Sequence, residues 1–203
     1  MIPEEDPQAA AMTSAHRPNA LWEHRVGVVL LALIFVVFAV NAVRTITNWS
    51  QFRPHLAGDP APTFSLPRIE ANGVLGERVR LESFAGEVVL VDFWATWCAP
   101  CRASMPRLES VAKHFAQSNV TLLSINTEAA GARVKARTLF DQLSPSAILV
   151  QDTGEVADRY GVTSIPYLAL IDRTGTLVWV HRGGLGRSAE RELIDIIGKA
   201  LRE

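Results

Sequence analysis

Cys98 and Cys101 are the only cysteines of the chain, and they directly follow an apolar run, residues 88–95. The run has the length of a buried strand, and the break at Thr96–Trp97 predicts that a helix begins at Cys98. Free backbone N–H groups and the helix dipole favour a thiolate there, so Cys98 is the candidate nucleophile and is expected to be the exposed sulfur. Cys101, one helical turn further on and shielded, can attack a mixed disulfide formed by Cys98. The spacing predicts a dithiol exchange site.

Structural roles for the cysteine pair compete with this interpretation. A disulfide that closes so short a loop removes little entropy from the unfolded chain and stabilises the fold little. A zinc site needs four ligands, usually with a second pair of cysteines or two closely spaced histidines. The histidines do not have that spacing: they are His16, His24, His55, His114 and His181. A copper-binding thiol pair is a weaker alternative, and redox chemistry is favoured.

Two distant motifs carry a resemblance to a known family. Val91–Ala95 and Trp97–Cys101 resemble the active-site segment of the thioredoxin superfamily, and Thr163–Pro166 followed by Tyr167–Asp172 resembles its cis-proline loop and the next strand. Gly58–Leu66 resembles the opening of the membrane-tethered subgroup related to TlpA and ResA. The resemblance implies an α/β thioredoxin fold, with a central mixed sheet flanked by helices.

Asp92 is the candidate proton carrier. It interrupts an otherwise apolar strand, where a carboxylate is costly unless it is paired or protonated. The resemblance implies a buried general acid/base that helps to move the proton of Cys101, and a solvated or paired Asp at the strand's edge is the alternative. The tethered subgroup often has Asn at this position and Glu three residues after the second cysteine, where this chain has Ser104. Proton handling therefore resembles that of thioredoxin.

The resemblance also implies substrate-binding residues on both sides of the cysteines. Pro166 is expected to follow a cis peptide bond, with a strand-edge proline as the alternative, and to leave the backbone of Ile165 free to pair with a substrate chain. Trp97 and Pro100 are expected to bind substrate beside Cys98, and Trp94 is expected to be a packing residue.

The function implied by the resemblance is a membrane-tethered thiol:disulfide oxidoreductase that acts on protein thiols and disulfides outside the cytoplasm. A reductant is favoured, with a role in cytochrome c maturation and with electrons supplied by a transmembrane electron-donor protein. No cofactor and no metal are expected. An oxidase of folding proteins is the alternative enzyme. A non-catalytic binding module is the alternative of another class, but Cys98, Cys101 and Pro166 argue against it.

The composition of the chain predicts how it divides into segments, and its charge bears on the kind of partner it binds. The chain has 203 residues and a net charge of −1, and without a basic block it is not expected to bind nucleic acid. Residues 1–25 have the composition of a disordered tail, residues 26–43 are predicted to form a transmembrane helix, residues 44–57 a linker and residues 58–203 the thioredoxin-like domain.

The apolar segment 26–43 contains no charged residue and would span roughly 27 Å as a helix, close to the thickness of a bilayer core. A buried core helix is disfavoured because the segment is hydrophobic on all sides. A retained anchor is favoured over cleavage after the small residues of Val40–Ala42. Basic residues flank the segment on both sides, so the resemblance alone places the thiol domain outside the cytoplasm.

Patterning predicts further elements around the cysteine motif. Asn72–Gly73 favours the turn of an added N-terminal hairpin within 64–81, and Pro106 is expected to lie inside the helix that begins at the cysteines. A helix at 132–143 and a strand at 148–150 resemble the insertion of the tethered subgroup. Ser188 is predicted to cap the last helix.

Overall fold

The computed structural model describes Ala20–Thr47 and residues 57–203, which belong to two separate compact units. The first contains helix α1 (Ala20–Thr47), in which Arg25–Arg44 is long and apolar enough to cross a membrane. The predicted membrane segment 26–43 lies within α1, and the helix also includes residues 20–25 and 44–47. The remainder of the predicted tail, 1–19, and of the predicted linker, 48–56, lies outside the described residues.

Residues 57–203 form one mixed sheet with helices on both faces. The elements are β1 (Ser65–Ile69), β2 (Leu75–Arg80), β3 (Val88–Trp94), α2 (Ala99–His114), β4 (Val120–Asn126), α3 (Arg133–Leu143), β5 (Ile148–Gln151), α4 (Glu155–Arg159), β6 (Tyr167–Ile171), β7 (Leu177–Arg182) and α5 (Arg187–Ala200). The strand order is β2-β1-β5-β4-β3-β6-β7. Strands β3, β4 and β5 are parallel, and the strands that flank them run antiparallel.

The central strand β3 is buried over its whole length because both faces of the sheet are covered. Alternate side chains point to opposite faces, so Leu90 and Trp94 pack with helices α2, α3 and α5. Val91 and Phe93 pack on the other face, with α4 and the segment that enters β1. Each such apolar side chain contributes about 1.5–3 kcal/mol by leaving water. The two cores therefore fix β3, and with it the residues that follow it.

Helix α2 begins where the sequence predicts. Cys98 is its N-cap, Pro100 lies at the second helical position, and Pro106 lies inside the helix. Leu108 and Val111 are buried in the core cluster between α2 and the sheet. The prediction for the last helix is wrong in one detail: α5 begins at Arg187 after an N-cap at Gly186, so Ser188 lies in the first turn instead of capping it.

The predicted hairpin and insertion are both present. Strands β1 and β2 pair antiparallel, and Asn72 and Gly73 adopt positive φ angles of 63° and 73° in the connection, a conformation that these two residue types tolerate best. Helix α3 and strand β5 form the insertion, and β5 joins β4 to β1. Because parallel β3 and β4 end at the same edge of the sheet, and antiparallel β6 begins there, this edge gathers the candidate functional residues.

Candidate active site

The two cysteines form a disulfide at the N-terminus of α2. Their Cα atoms are 5.3 Å apart, and the Sγ atom of Cys98 accepts a hydrogen bond of 3.2 Å from the backbone amide of Cys101. The carbonyl of Cys98 accepts from the amide of Arg102, which starts the helical pattern. The prediction that Cys98 lies at a helix N-terminus is confirmed. A negative charge on its sulfur would therefore be stabilised by the first amides of α2.

Solvent exposure does not distinguish the two sulfurs. Cys98 is 3% exposed and Cys101 is 2% exposed, so the expectation that Cys98 is the exposed sulfur is wrong for the disulfide form. Both belong to the core cluster that contains Trp94 and Met105. The physical reason is that the strand–helix turn places Cys98 over the edge of the core. What distinguishes Cys98 is its N-cap position and the amide directed at its sulfur.

The Ile165–Pro166 peptide bond is cis, as predicted. Phe93 pairs with Tyr167, so the next residues outward, Trp94 and Pro166, lie side by side at the edge where α2 begins. Ile165 packs against the core cluster that contains both cysteines. Because β6 begins at Tyr167, the backbone amide and carbonyl of Ile165 lie outside the registered sheet pairing.

Exposed side chains surround the buried disulfide. Trp97 is 68% exposed and precedes Cys98, and Pro100 is exposed between the cysteines. Trp94 is fully buried, in agreement with its predicted packing role. Trp97 and Pro100 therefore form an exposed apolar rim beside the buried sulfur pair. A thiolate that attacks either sulfur must pass this rim.

Asp92 lies in the middle of β3 and is 2% exposed, so the alternative of a solvated carboxylate at a strand edge does not hold. Its side chain has the same strand parity as Leu90 and Trp94 and thus faces the side of the sheet on which α2 and the cysteines pack. Ser124, its partner on β4, donates a long hydrogen bond of 3.4 Å to it. Burial raises the pKa of Asp92 to about 7, and the Ser124 bond opposes this only partly.

A polar network beneath Thr96 was not predicted from the sequence. The Glu128 carboxylate accepts hydrogen bonds from the Thr96 amide and hydroxyl, and Arg102 donates to the Thr96 carbonyl. Asn126 donates to Glu128, and Gln151 donates to the Glu128 carbonyl. The available signal was that Glu128 follows β4, whose carboxyl end shares the edge of the active site. The network holds the turn between β3 and the cysteines.

Among residues 20–47 and 57–203, no three or more His, Cys, Asp or Glu side chains are grouped so that they could hold a metal ion. Glu128 is hydrogen-bonded to the turn at Thr96, and Asp92 lies on the face of the sheet on which the cysteines pack and is hydrogen-bonded to Ser124. The cysteine pair supplies thiol chemistry, and Asp92 is a titratable carboxyl group on the same face of the sheet.

Comparisons with known proteins agree with this geometry. Residues 57–180 match the model of the AhpC/TSA family. The thiol-disulfide oxidoreductase ResA of Halalkalibacterium halodurans is 30% identical over 142 residues, which cover 70% of this chain and 77% of that protein. The thiol:disulfide interchange protein DsbE of Xylella fastidiosa strain Temecula1 is 31% identical over 175 residues, 84% of each chain. A crystal structure from Chlorobium tepidum, described as a DsbE, superposes with a TM-score of 0.64 at 30% identity and covers 72% of this chain and 99% of its own.

The raised pKa of Asp92 predicts how stability depends on pH. Between about pH 4 and pH 7 the carboxyl is ionised in the unfolded chain but protonated in the fold, so the free energy of unfolding falls as pH rises through this window and levels off above it. The slope is on the order of 1.4 kcal/mol per pH unit. Asp92→Asn should remove this slope. The free energy of unfolding of the variant, relative to that of the parent, should therefore increase from pH 4 to pH 7, and urea unfolding of both proteins measures it.

The matched control for that measurement is Asp158→Asn, because Asp158 is exposed on α4. It should retain the parent's slope. Parallel pH profiles of the parent and the Asp92 variant would contradict the buried, protonated carboxyl.

Proposed function

Because this chain belongs to the AhpC/TSA family and is a thiol-disulfide oxidoreductase of the ResA/DsbE type with a thioredoxin-like fold, we propose that it reduces protein disulfides outside the cytoplasm while anchored by α1. The observation that carries the proposal is the disulfide between Cys98 and Cys101 at a helix N-terminus, beside a cis proline and an exposed apolar rim. The candidate membrane helix supports the anchor.

The reaction has two exchange steps. In the reduced protein the Cys98 thiolate attacks one sulfur of the substrate disulfide, forms a mixed disulfide and releases the other substrate sulfur as a thiolate. The Cys101 thiolate then attacks the Sγ atom of Cys98, releases the second substrate thiolate and forms the Cys98–Cys101 disulfide. Two electrons pass to the substrate. The amide of Cys101, directed at Cys98 Sγ, supports the first step by stabilising the attacking thiolate.

Asp92 has the proposed role of accepting the proton of Cys101 before the second step. Its carboxyl lies on the face of the sheet that the cysteines cover. A general base is most effective when its pKa lies near the working pH, and burial brings the pKa of Asp92 to about 7. The group can therefore exist in both protonation states near neutral pH.

The substrate chain is proposed to lie across the rim, in contact with Trp97 and Pro100 on one side and with Ile165 and Pro166 on the other. The Ile165 backbone, outside the sheet pairing, offers an amide and a carbonyl to an extended segment. Trp97 supplies exposed aromatic surface next to the nucleophile. These contacts would hold the scissile disulfide over Cys98.

The proposed direction is reduction, with a transmembrane electron-donor protein restoring the dithiol and cytochrome c maturation as the process served. The charges around the turn support this direction. Arg102 and Glu128 meet at Thr96 and offset each other, which leaves the buried Asp92 as a carboxyl without a cationic partner among the described contacts. Where this carboxyl is ionised, near and above pH 7, its negative charge disfavours thiolates, and a dithiol whose reduced form is less stabilised is the stronger reductant.

The two cysteines are predicted to trap different species. With Cys101→Ser, the mixed disulfide between Cys98 and a substrate cannot be resolved and should accumulate as an adduct that dithiothreitol removes. With Cys98→Ser, no adduct should form. Non-reducing electrophoresis of both variants after incubation with a disulfide-bearing protein gives the answer. Adducts in the Cys98 variant alone would reverse the two roles.

Asp92→Asn is predicted to slow the second step more than the first. Because the carboxylate is proposed to deprotonate Cys101, resolution at pH 7 should fall roughly 10²-fold, whereas formation of the mixed disulfide should change little. Rapid-quench measurement of adduct formation and decay separates the two rates, and Asp158→Asn is the control. Equal slowing of both steps would show that Asp92 acts only on the fold.

Cysteine labelling in intact cells is predicted to report both the side of the membrane on which the domain lies and the redox state of the cysteine pair. A membrane-impermeant maleimide added from outside should label Cys98 and Cys101 directly, because the domain is outside and is kept as a dithiol. The chain has no other cysteines, so all labelling reports the pair. Labelling only after an external reductant would show an oxidase. Labelling only after cell lysis would place the domain in the cytoplasm.

A further inference from the structure

Ser104 lies on α2, three residues after Cys101, and is 3% exposed. Its hydroxyl donates a hydrogen bond of 2.9 Å to the carbonyl of Pro100. Such bonds from a helical serine to the carbonyl four residues earlier are common and local. The same oxygen also accepts a bond of 2.8 Å from the amide of Leu185, 81 residues further along the chain. This second bond joins the cysteine helix to a distant loop.

The loop, residues 183–185, is attached in turn to the cis proline. The amide of Gly183 donates a hydrogen bond of 2.9 Å to the carbonyl of Pro166, and Gly183 has a φ of +100°, which favours glycine. Gly184 is exposed and lies against Pro100: a Cβ atom built on it would be 3.8 Å from the Cβ of Pro100. Leu185 is buried and anchors the end of the loop in the core.

These contacts form a continuous path from Pro100 through Ser104, Leu185 and Gly183 to Pro166. The path links the two sides of the site, which belong to different elements: Pro100 to the first turn of α2, and Pro166 to the start of β6. Sheet pairing holds β6 against β3 but does not reach the first turn of α2. The two hydrogen bonds of the Ser104 hydroxyl connect that turn to the loop.

We infer that Ser104 is a positioning residue that sets the gap between the Pro100 side and the Pro166 side of the site and thereby favours extended polypeptide disulfides over small ones. The inference rests on the proposed function, in which a protein chain lies across both sides. A polypeptide must contact both sides at once, whereas a small disulfide needs only the Cys98 sulfur.

Loss of the hydroxyl has a definite consequence for the loop. Ser104→Ala leaves the amide of the buried Leu185 without its partner, and a buried amide without a partner is costly. The two glycines allow the loop to move instead of straining. A loop that must be ordered when substrate binds adds an entropic cost to binding but leaves the exchange of sulfur atoms unchanged.

The experiment compares two substrates of the full-length, detergent-solubilised and pre-reduced protein in single turnover. Insulin is the polypeptide disulfide, and 5,5′-dithiobis(2-nitrobenzoate) is the small one. For Ser104→Ala the half-saturating insulin concentration should rise about fivefold, as expected for one lost hydrogen bond, with an unchanged limiting rate. The rate with the small disulfide should equal that of the parent.

Three variants complete the design. Ser110→Ala removes an exposed serine from the same helix and should behave as the parent. Ser104→Thr keeps a hydroxyl that can make both bonds and should restore insulin binding. Gly184→Ala keeps the Ser104 bonds and adds a methyl group 3.6 Å from Ser104 Oγ and 3.8 Å from Pro100 Cβ, so the variant should fold; because the methyl group takes up space beside Pro100 that a substrate chain would use, it should still raise the half-saturating insulin concentration. It tests the gap even if Ser104→Ala unfolds at the assay temperature.

The outcomes are distinct. Parent-like insulin binding by folded Ser104→Ala, or an equal loss of rate with both substrates, would overturn the positioning role. So would a parent-like Gly184→Ala. If the parent itself reacts with the small disulfide but not with insulin, the proposed protein substrate fails, and that result is visible before any variant is made.

Discussion

The parallel pairing of β3 with β4 is the constraint on which the site depends. It aligns Trp94 with Asn126, so that both strands end at one edge, and the turn to α2 and the turn carrying Glu128 leave the sheet side by side. Antiparallel β6 enters at the same edge and brings Pro166 next to Trp94. A shift of one residue in the β3 register would turn Asp92 to the other face and move the cysteines away from the cis proline.

Asp92 is the point where stability and function oppose each other. Every other side chain of β3 is apolar and buried, and each adds to the cores on the two faces. A carboxyl at the centre of that strand has one weak hydrogen bond from Ser124 and no cationic partner among the described residues, so it remains uncharged to about pH 7. An apolar residue there would stabilise the sheet, but it could not exchange a proton with a neighbouring thiol. The raised pKa follows from burial, and the same burial makes the group useful near neutral pH.

Much of the fold and part of the site could be predicted because their signals are local. The cysteine spacing, the Asn72–Gly73 turn and the cis peptide bond before Pro166 each depend on a few adjacent residues. The burial of Cys98 could not be predicted from its helix N-terminal position, because burial depends on the core that closes over the turn.

The unpredicted contacts are of the same long-range kind. Glu128 meets Thr96 across two strands, and Ser104 meets the amide of Leu185 across the domain. The position of Glu128 after β4 places it at the edge of the site but does not identify Thr96 as its partner, and a helical serine such as Ser104 ordinarily bonds only within its own helix. The start of α5 is a smaller case: Gly186 is its N-cap, so Ser188 lies in the first turn of the helix.

A site that gives and receives electrons must run the same exchange in both directions, and the arrangement of Asp92 and the two sulfurs suits that requirement. When a donor thiolate attacks Cys98 Sγ, Cys101 leaves as a thiolate and is best served by a protonated acid. When Cys101 attacks in the substrate step, it needs a base. A carboxyl with a pKa of about 7 exists in both forms near neutral pH, whereas one at its ordinary value of 3.8 would be only a base. The helix N-terminus, in contrast, favours charge on Cys98 in both directions, so the two sulfurs keep separate roles although they are equally buried.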